Sequence, residues 1–559
     1  MQRSMIGIVV LFMVLTGAVQ SGSAQWDYLD VPQGFETLNL AIEGDTTAAG
    51  EAKSLNRVYR LERGGMYLLN GHVANIKGAP LRIWAADGAG PKPLIITAVN
   101  QSGANDDVAY LEGDGHFKNL YISGIDNIGI QDRYTMAVYD TGARVVWEGV
   151  HIDHSRQSHI RVYGVNTRLF FYDCEFRNSI DLATPSNGRF FDGRGLAIDT
   201  IMYQNCTIYL NSQRMFRTDG AVVNTIIMDH NTFYQNAYGA FTTSGAKQAG
   251  PLEIRRGVNV RITNNIFQDL CTEAMRHPKS LDPPDRLPII AVDSLGSPSI
   301  TEASRNWVVR NNAYGWAPAF KTFWAGWGID TLVKAPVFIS PYGDSVFFKV
   351  KPNFAQSGNF EELIQFADAP SSDSLLKYVR YRFTSNFTNS GNPDPRADRN
   401  GVGDLTTKPE TFGLESNPFN FDYPTTQQAY TAGDGGFPVG DLNWFPSRKA
   451  AWQLVNAVED PLGSIVTEYR LDQNYPNPFN PATHIAFALP HAARVTLTIY
   501  NAIGQEMARL INNEERSAGQ HLAIWSGKDA SGVAVPTGVY FYRLQTPQTQ
   551  ITKKMVLVK

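Results

Sequence analysis

Counting back from the glycines at 164, 195 and 220 aligns two columns of chemically active side chains. One holds Arg161, Asp192 and Arg217; the other holds Tyr163, Arg194 and Asp219. On stacked strands these columns face outward, and opposite charges sit on adjacent coils, Asp192 beside Arg217 and Arg194 beside Asp219. An arginine fork of this kind holds a carboxylate, because a guanidinium offers paired donors matched to its two oxygens. Asp192 and Asp219 supply the hard oxygen ligands that Ca²⁺ takes, so Ca²⁺ is a possible cofactor. A uronate with its carboxylate neutralised loses the neighbouring proton more easily, and β-elimination then needs a base within hydrogen-bond reach. Tyr163, His154 and His159 are the candidate bases, histidine titrating in the right range. The groove reading therefore assigns catalysis to Arg217, Arg194, Tyr163 and His159, and substrate binding to Arg161, Asp192 and Asp219. The same columns also read as an exposed ion-pair ladder, each pair worth at most about 1 kcal/mol. His151, Asp153, His154, Arg156 and His159 crowd one coil without a metal-ligand spacing and read as a solvated loop.

What positions these residues is a repeat. An apolar-x-apolar-x-bend-small-x-apolar pattern starts at Leu120, Val145, Leu169, Ile201, Ile226, Val260 and Trp307, in residues 117–314. Its second apolar column is Ile122, Trp147, Phe171, Tyr203, Met228, Ile262 and Val309. Alternation at period two means strands with one buried face, and recurrence every 24 to 34 residues in the first six copies means a solenoid. The bend column reads Gly124, Gly149, Asp173, Asn205, His230, Asn264 and Asn311, residue types that tolerate positive φ. Next to it Asn231, Asn265 and Asn312 are placed to stack as an inward amide ladder. Cys174 and Cys206 share that column, as a bonded pair or as two small buried hydrophobes. A second set of glycines, at 142, 164, 195, 220 and 245, marks another strand of the coil. Phe191, Phe216 and Phe241 recur there at intervals of 25 and point inward.

These coil sequences, Met228 to Phe233 and Ile262 to Phe267 most clearly, resemble the pectate-lyase-like superfamily. The resemblance implies an all-β chain built on a right-handed parallel β-helix. Val58 to Leu61, Arg63 to Tyr67, Leu81 to Ala85 and Pro93 to Ile96 resemble the N-terminal coils of chondroitinase-B-like and alginate-lyase-like proteins. The catalytic lysine-and-arginine and acidic calcium-binding motifs of those lyases do not appear, so their activity does not carry over. Arg276-His277-Pro278 is similar to the start of a pectate-lyase arginine–proline motif, with Leu281 where its second arginine would stand.

The chain has 559 residues, 18% charged, with a net charge of −4, which argues against nucleic acid as the main partner. Three cysteines in that length exclude a disulfide-built scaffold. Residues 1–24 read as a secretory signal, with Arg3, an apolar run from Ile6 to Leu15 and a small-residue site at Gly22-Ser23-Ala24. No later stretch is long and apolar enough for a spanning helix. Residues 25–116 read as an N-terminal cap and first coils, with a short helix over Thr37 to Ile42. Residues 315–455 read as an irregular C-terminal cap, with short helices at Glu361 to Phe366 and Asp373 to Tyr378. Its aromatic loops at Phe419 to Pro424 and Phe437 to Pro446 pack over the last coils or form a sugar platform. Residues 456–469 read as a linker, and 470–559 as a small Ig-like β-sandwich.

That last module resembles the type A C-terminal sorting domain of the type IX secretion system. The matching residues are Tyr475 to Pro481, Tyr500, Gly504, Trp525, Gly527, Asp529, Gly532, Pro536 to Tyr540 and Lys553 to Val558. The resemblance implies a Bacteroidota-like bacterium, engagement of the type IX machinery, and release or attachment at the cell surface. Two functions fit the whole: a secreted protein acting on an acidic polysaccharide, lyase-like if an enzyme, or a non-catalytic adhesin or glycan-binding scaffold.

Overall fold

The computed structural model describes residues 26–558 except 99–105, 128–129, 185–186, 213–214, 237–250, 253, 273–287, 293–301, 327–334, 386–390, 392, 396–418, 457–468, 472, 475–476, 490–492 and 517–518. The signal segment, Phe241, Gly245, Arg276-His277-Pro278, Leu281, nearly all of the linker, Tyr475 and Pro476 lie outside the described residues. The chain divides into two compact units, Asp27–Glu459 and Asp460–Lys559.

The first unit is a parallel β-helix. Sheet 1 has eleven strands from Asp27–Val31 to Phe354–Ser357, and sheet 2 has eleven from Gly34–Phe35 to Phe360–Glu361. Sheet 3 has six, from Val73–Ala74 to Phe216–Arg217, and single bridges through Leu252 carry its face on to Ile290. Each strand pairs in parallel with its equivalent one coil away. Apolar side chains therefore stack on their equivalents: Trp147, Phe171 and Tyr203 lie ring on ring at 4.5 Å and within 9° of parallel. Phe191 and Phe216 pair in register and are fully buried.

The bends behave as their residue types dictate. Gly149, Asp173, Asn205, His230, Asn264 and Asn311 all have φ between 53° and 62°. The first copy of the repeat is misaligned by five residues. Phe117, not Ile122, pairs with Trp147, and Asn119, not Gly124, takes the left-handed bend. The error arose because Gly115 occupies the apolar position opposite Val145, and a glycine carries no side chain to mark a column. The solenoid begins at Asp27, within the cap and first coils expected over residues 25–116, and runs past residue 314 to Glu361. Its last coil adds an unforeseen rung to the amide ladder. Asn231 donates to Asn265 at 2.9 Å, Asn265 to Asn312 at 2.9 Å, and Asn312 to Asn359 at 2.8 Å. Cys174 and Cys206 are free thiols buried in the same column.

A helix spans Thr37–Glu43, burying Leu38 and Ile42 at the N-terminal end. Ser372–Thr384 is helical, whereas Glu361 to Phe366 is not: Phe360–Glu361 is the last strand of sheet 2. Residues 419–456 do not cover the open end. They run back along the outer face of sheet 2 as a strap. Asp434 is held by Arg310 at 2.6 Å and Asn311 at 2.9 Å. Further along, Asp441 accepts from Thr207 at 2.7 Å, and Trp444 donates to Thr207 at 2.8 Å. Gly440 (φ 87°) permits this approach, since a Cβ there would sit 2.5 Å from Ile266 Cδ1. Phe419, Phe421 and Tyr423 are buried against the sheet, so these rings are no sugar platform.

The second unit packs a three-stranded antiparallel sheet (Arg470–Leu471, Thr483–Leu489, Gly519–Trp525) with a four-stranded one (Glu506–Arg516, Ala493–Asn501, Gly538–Gln545, Gln550–Leu557). Phe479, Trp525, Tyr542, Met555 and Leu557 fill its core. Asp529 closes the turn to Gly532, accepting from the Ser531 hydroxyl at 2.6 Å and the Val533 amide at 2.9 Å.

Candidate functional site

The outer face of sheet 3 carries the residues singled out by type and spacing. Strands Ala109–Leu111, Tyr134–Val138, Ser158–Val162, Arg189–Asp192 and Phe216–Arg217 bring Tyr110, Ala137, Arg161, Asp192 and Arg217 into one column. The column matches expectation; its environment does not. Arg161 is 2% exposed and Asp192 fully buried, so this is not an exposed ladder. Arg161 forms an ion pair with Asp192. Arg189 and Arg217 approach the same Asp192 oxygen at 3.6 and 3.7 Å. Arg217 also donates to Asp219 at 2.8 Å, the pair that the backbone brings together here. Arg194 and Asp219 lie exposed in left-handed turns (φ 45° and 47°).

Asp192 is thus enclosed by three guanidinium groups. A cation at this carboxylate would meet strong repulsion, so the residues do not fit the expected Ca²⁺ site at Asp192 and Asp219. Among the described residues no cluster of three or more His, Cys, Asp or Glu is arranged to hold a metal ion.

The expected base His159 is also displaced from this face. Its ring is fully buried beside Phe176 and Phe190, and burial pushes its pKa down to about 3. His154 is buried too, in a network rather than a solvated loop. Asp153 binds His154 at 2.9 Å and Arg177 at 2.7 Å and accepts from Tyr121 at 3.0 Å, while His151 meets Glu175 at 3.0 Å. Of that group Arg156 alone is exposed.

Tyr163 is exposed as expected, and it belongs to a row. It stacks on Tyr139 at 4.6 Å with 3° between planes; Tyr139 meets Tyr110 at 5.2 Å, and Tyr110 meets His72 at 3.9 Å. Arg161 lies 5.0 Å over the rings of both Tyr163 and Tyr134. Tyr139 and Tyr163 are about 40% exposed. At the far end Asp106 joins His72 Nδ1 at 2.9 Å and accepts from Tyr110 at 2.8 Å. Burial opposes ionisation of Asp106, but the His72 and Tyr110 hydrogen bonds hold its carboxyl below the usual range. Burial and the Asp106 charge push the neighbouring Asp107 up to about 7.

His72, Asp106, Tyr110, Tyr139 and Arg189 escaped notice in the sequence. Tyr139 is one coil from Tyr163, since Val138 pairs with Val162, but its glycine, Gly142, lies two residues further from the strand. Aligning strand ends rather than glycines would have found it. The face as built offers an anion-attracting arginine cluster and a line of phenol edges, one per coil.

Residues 476–549 match the FlgD Ig-like domain family. Among solved structures, dimeric latent PorU from Porphyromonas gingivalis is similar at 21% identity, over 16% of this chain and 9% of its own, with a TM-score of 0.14. PorZ, a surface component of the type IX secretion system of the same organism, is 17% identical over 18% of this chain and 13% of its own, TM-score 0.13. The chain therefore spans only about a tenth of those two structures. Pectate lyase Pel9A is 12% identical over 73% of this chain and 92% of its own, TM-score 0.34. No curated protein matches the sequence.

Proposed function

We propose that this is an exported polysaccharide-binding β-helix protein that takes an acidic glycan along the outer face of sheet 3. The observation that carries this reading is the Tyr110–Tyr139–Tyr163 row, with the exposed Arg194 and the partly exposed Arg217 on the next two coils. It offers one hydrogen-bonding edge per coil and a positive terminus for carboxylates. Export and surface placement are assigned to the C-terminal unit, on the residues it shares with type IX sorting domains. The reading is tested with Arg217→Ala and Tyr163→Ala. Loss of the Arg217 clamp is expected to weaken uronate-glycan binding by roughly 1.5–3 kcal/mol, ten- to a hundredfold. Unchanged affinity across a uronate panel, for both variants, would reject it.

The His72–Asp106 pair favours a second reading, a lyase. Asp106 orients the imidazole as a proton acceptor for a sugar at the Tyr110 end of the row. Incubation with uronate polysaccharides, following the absorbance of the 4,5-unsaturated product, separates the two. Product formed by the native chain and lost in His72→Ala supports the lyase; no product from the native chain leaves binding alone.

A further inference from the structure

The tyrosine row ends at two consecutive carboxyls whose surroundings differ. Asp106 is well satisfied: it joins His72 Nδ1 at 2.9 Å, accepts from Tyr110 at 2.8 Å and takes the Asp107 amide at 2.9 Å. Asp107 is 8% exposed, and a backbone hydrogen bond from Tyr134 stands against burial and the Asp106 charge. A third carboxyl, Asp132, lies behind it and is 1% exposed. One Asp132 oxygen accepts from Thr97 at 3.3 Å, and the other has no hydrogen-bond partner. Burial, then the Asp107 and Asp126 charges, push Asp132 up to about 9, so it keeps its proton at neutral pH.

The charged groups that face Asp107 are therefore mostly acids. They are Asp106 and Asp132, with the buried Asp126 beyond, against His72 and Arg133. Both cations are engaged elsewhere. Asp106 holds His72, while Arg133 donates to Gln157 at 3.0 Å and lies 5.1 Å over the Tyr134 ring. On its other side Asp107 acts on the row itself. Burial and the Asp107 charge push the Tyr110 phenol up, and burial, Tyr163 and Asp107 do the same for Tyr139. Two neighbouring carboxyls in a half-desolvated site ionise together only at a cost, and a polyanion laid along the row adds a third negative charge.

We propose, resting on the binding reading above, that the proton on Asp107 gates the sheet 3 face: an acidic glycan is held while Asp107 is neutral and released as it ionises. With its carboxyl pushed up to about 7, Asp107 is neutral below that pH and charged above it. Affinity for a uronate chain therefore falls as pH rises through neutrality. By reciprocity the bound glycan favours the protonated acid, so binding takes up a proton. The glycan carboxylates stay ionised throughout this range, so the change belongs to the protein. A unit charge gained beside the ligand is expected to weaken binding about tenfold.

Calorimetric titration of the full chain with a uronate oligosaccharide, at about pH 6 and about pH 8, tests this beside Asp107→Asn. Native affinity is expected to drop about tenfold between the two, and the Asp107→Asn affinity to stay at the level of the acidic side. Near pH 7, titrations in buffers of different ionisation enthalpy are expected to show proton uptake by the native chain and less by Asp107→Asn. Native binding that is equal at both pH values, or that takes up no proton, overturns the gate while leaving glycan binding intact. So does an Asp107→Asn chain that loses affinity as steeply as the native one. Absence of binding at either pH overturns the binding reading and the gate with it. Proton uptake needs only the native chain, so it decides the matter even where Asp107→Asn lowers the melting temperature.

Discussion

Asp192 shows how burial changes what a charged residue does. An exposed carboxylate between arginines contributes little, and one free of them binds a cation. Enclosed by Arg161, Arg189 and Arg217, it is the counter-charge that lets three guanidinium groups sit on one strip of sheet. Removing one partner of a buried ionic cluster leaves uncompensated charge, at a cost of roughly 3–5 kcal/mol. Asp192→Asn is therefore expected to lower stability by about that amount in thermal or denaturant unfolding. Added Ca²⁺ is expected to leave the native melting temperature unchanged. A rise with Ca²⁺ that Asp192→Asn abolishes would restore the metal site.

At the scale of elements, the strap carries a pH-sensitive carboxyl. Asp441 has its carboxyl pushed up to about 8, chiefly by burial, against about 3.9 in an unfolded chain. The folded state thus prefers the protonated acid. Its contribution is fully present below about pH 4 and is lost as pH rises through about 8. Asp441→Asn keeps a neutral side chain at every pH. It is expected to match the native protein in melting temperature near pH 4 and exceed it at pH 9; a native advantage at pH 9 would contradict this. The inner aromatic columns contribute packed volume. Phe216→Ala is expected to cost about 3–5 kcal/mol, because neighbouring rings on adjacent coils cannot close the cavity. A loss below about 1 kcal/mol would mean that the coil is not packed as described.

For the whole molecule, two units with separate cores imply separate folding. Deleting residues 470–559 is expected to leave the β-helix folded, with its melting transition intact, but retained in the periplasm. Recovery of the truncated protein at the cell surface would reject the assignment of export to that unit. No helix among the described residues is long and apolar enough to cross a membrane.

The repeat was legible because strand alternation and stacked columns are local, periodic properties. Phe171, Tyr203 and Met228 declare their column by type and spacing, as do Asn231, Asn265 and Asn312 for theirs. The β-helix and the β-sandwich after it followed from such patterns, as did the pairing of Arg161, Asp192 and Arg217. Burial was not legible in the same way, since it depends on what packs over a residue from elsewhere in the chain. Asp192 and His159 read as exposed chemistry until the fold enclosed them. Asp441 became an acid of altered strength only because the strap carries it onto Thr207, 234 residues away. The row from His72 to Tyr163 is likewise tertiary: its members are drawn from successive coils with turns of unequal length, so no fixed spacing announces them.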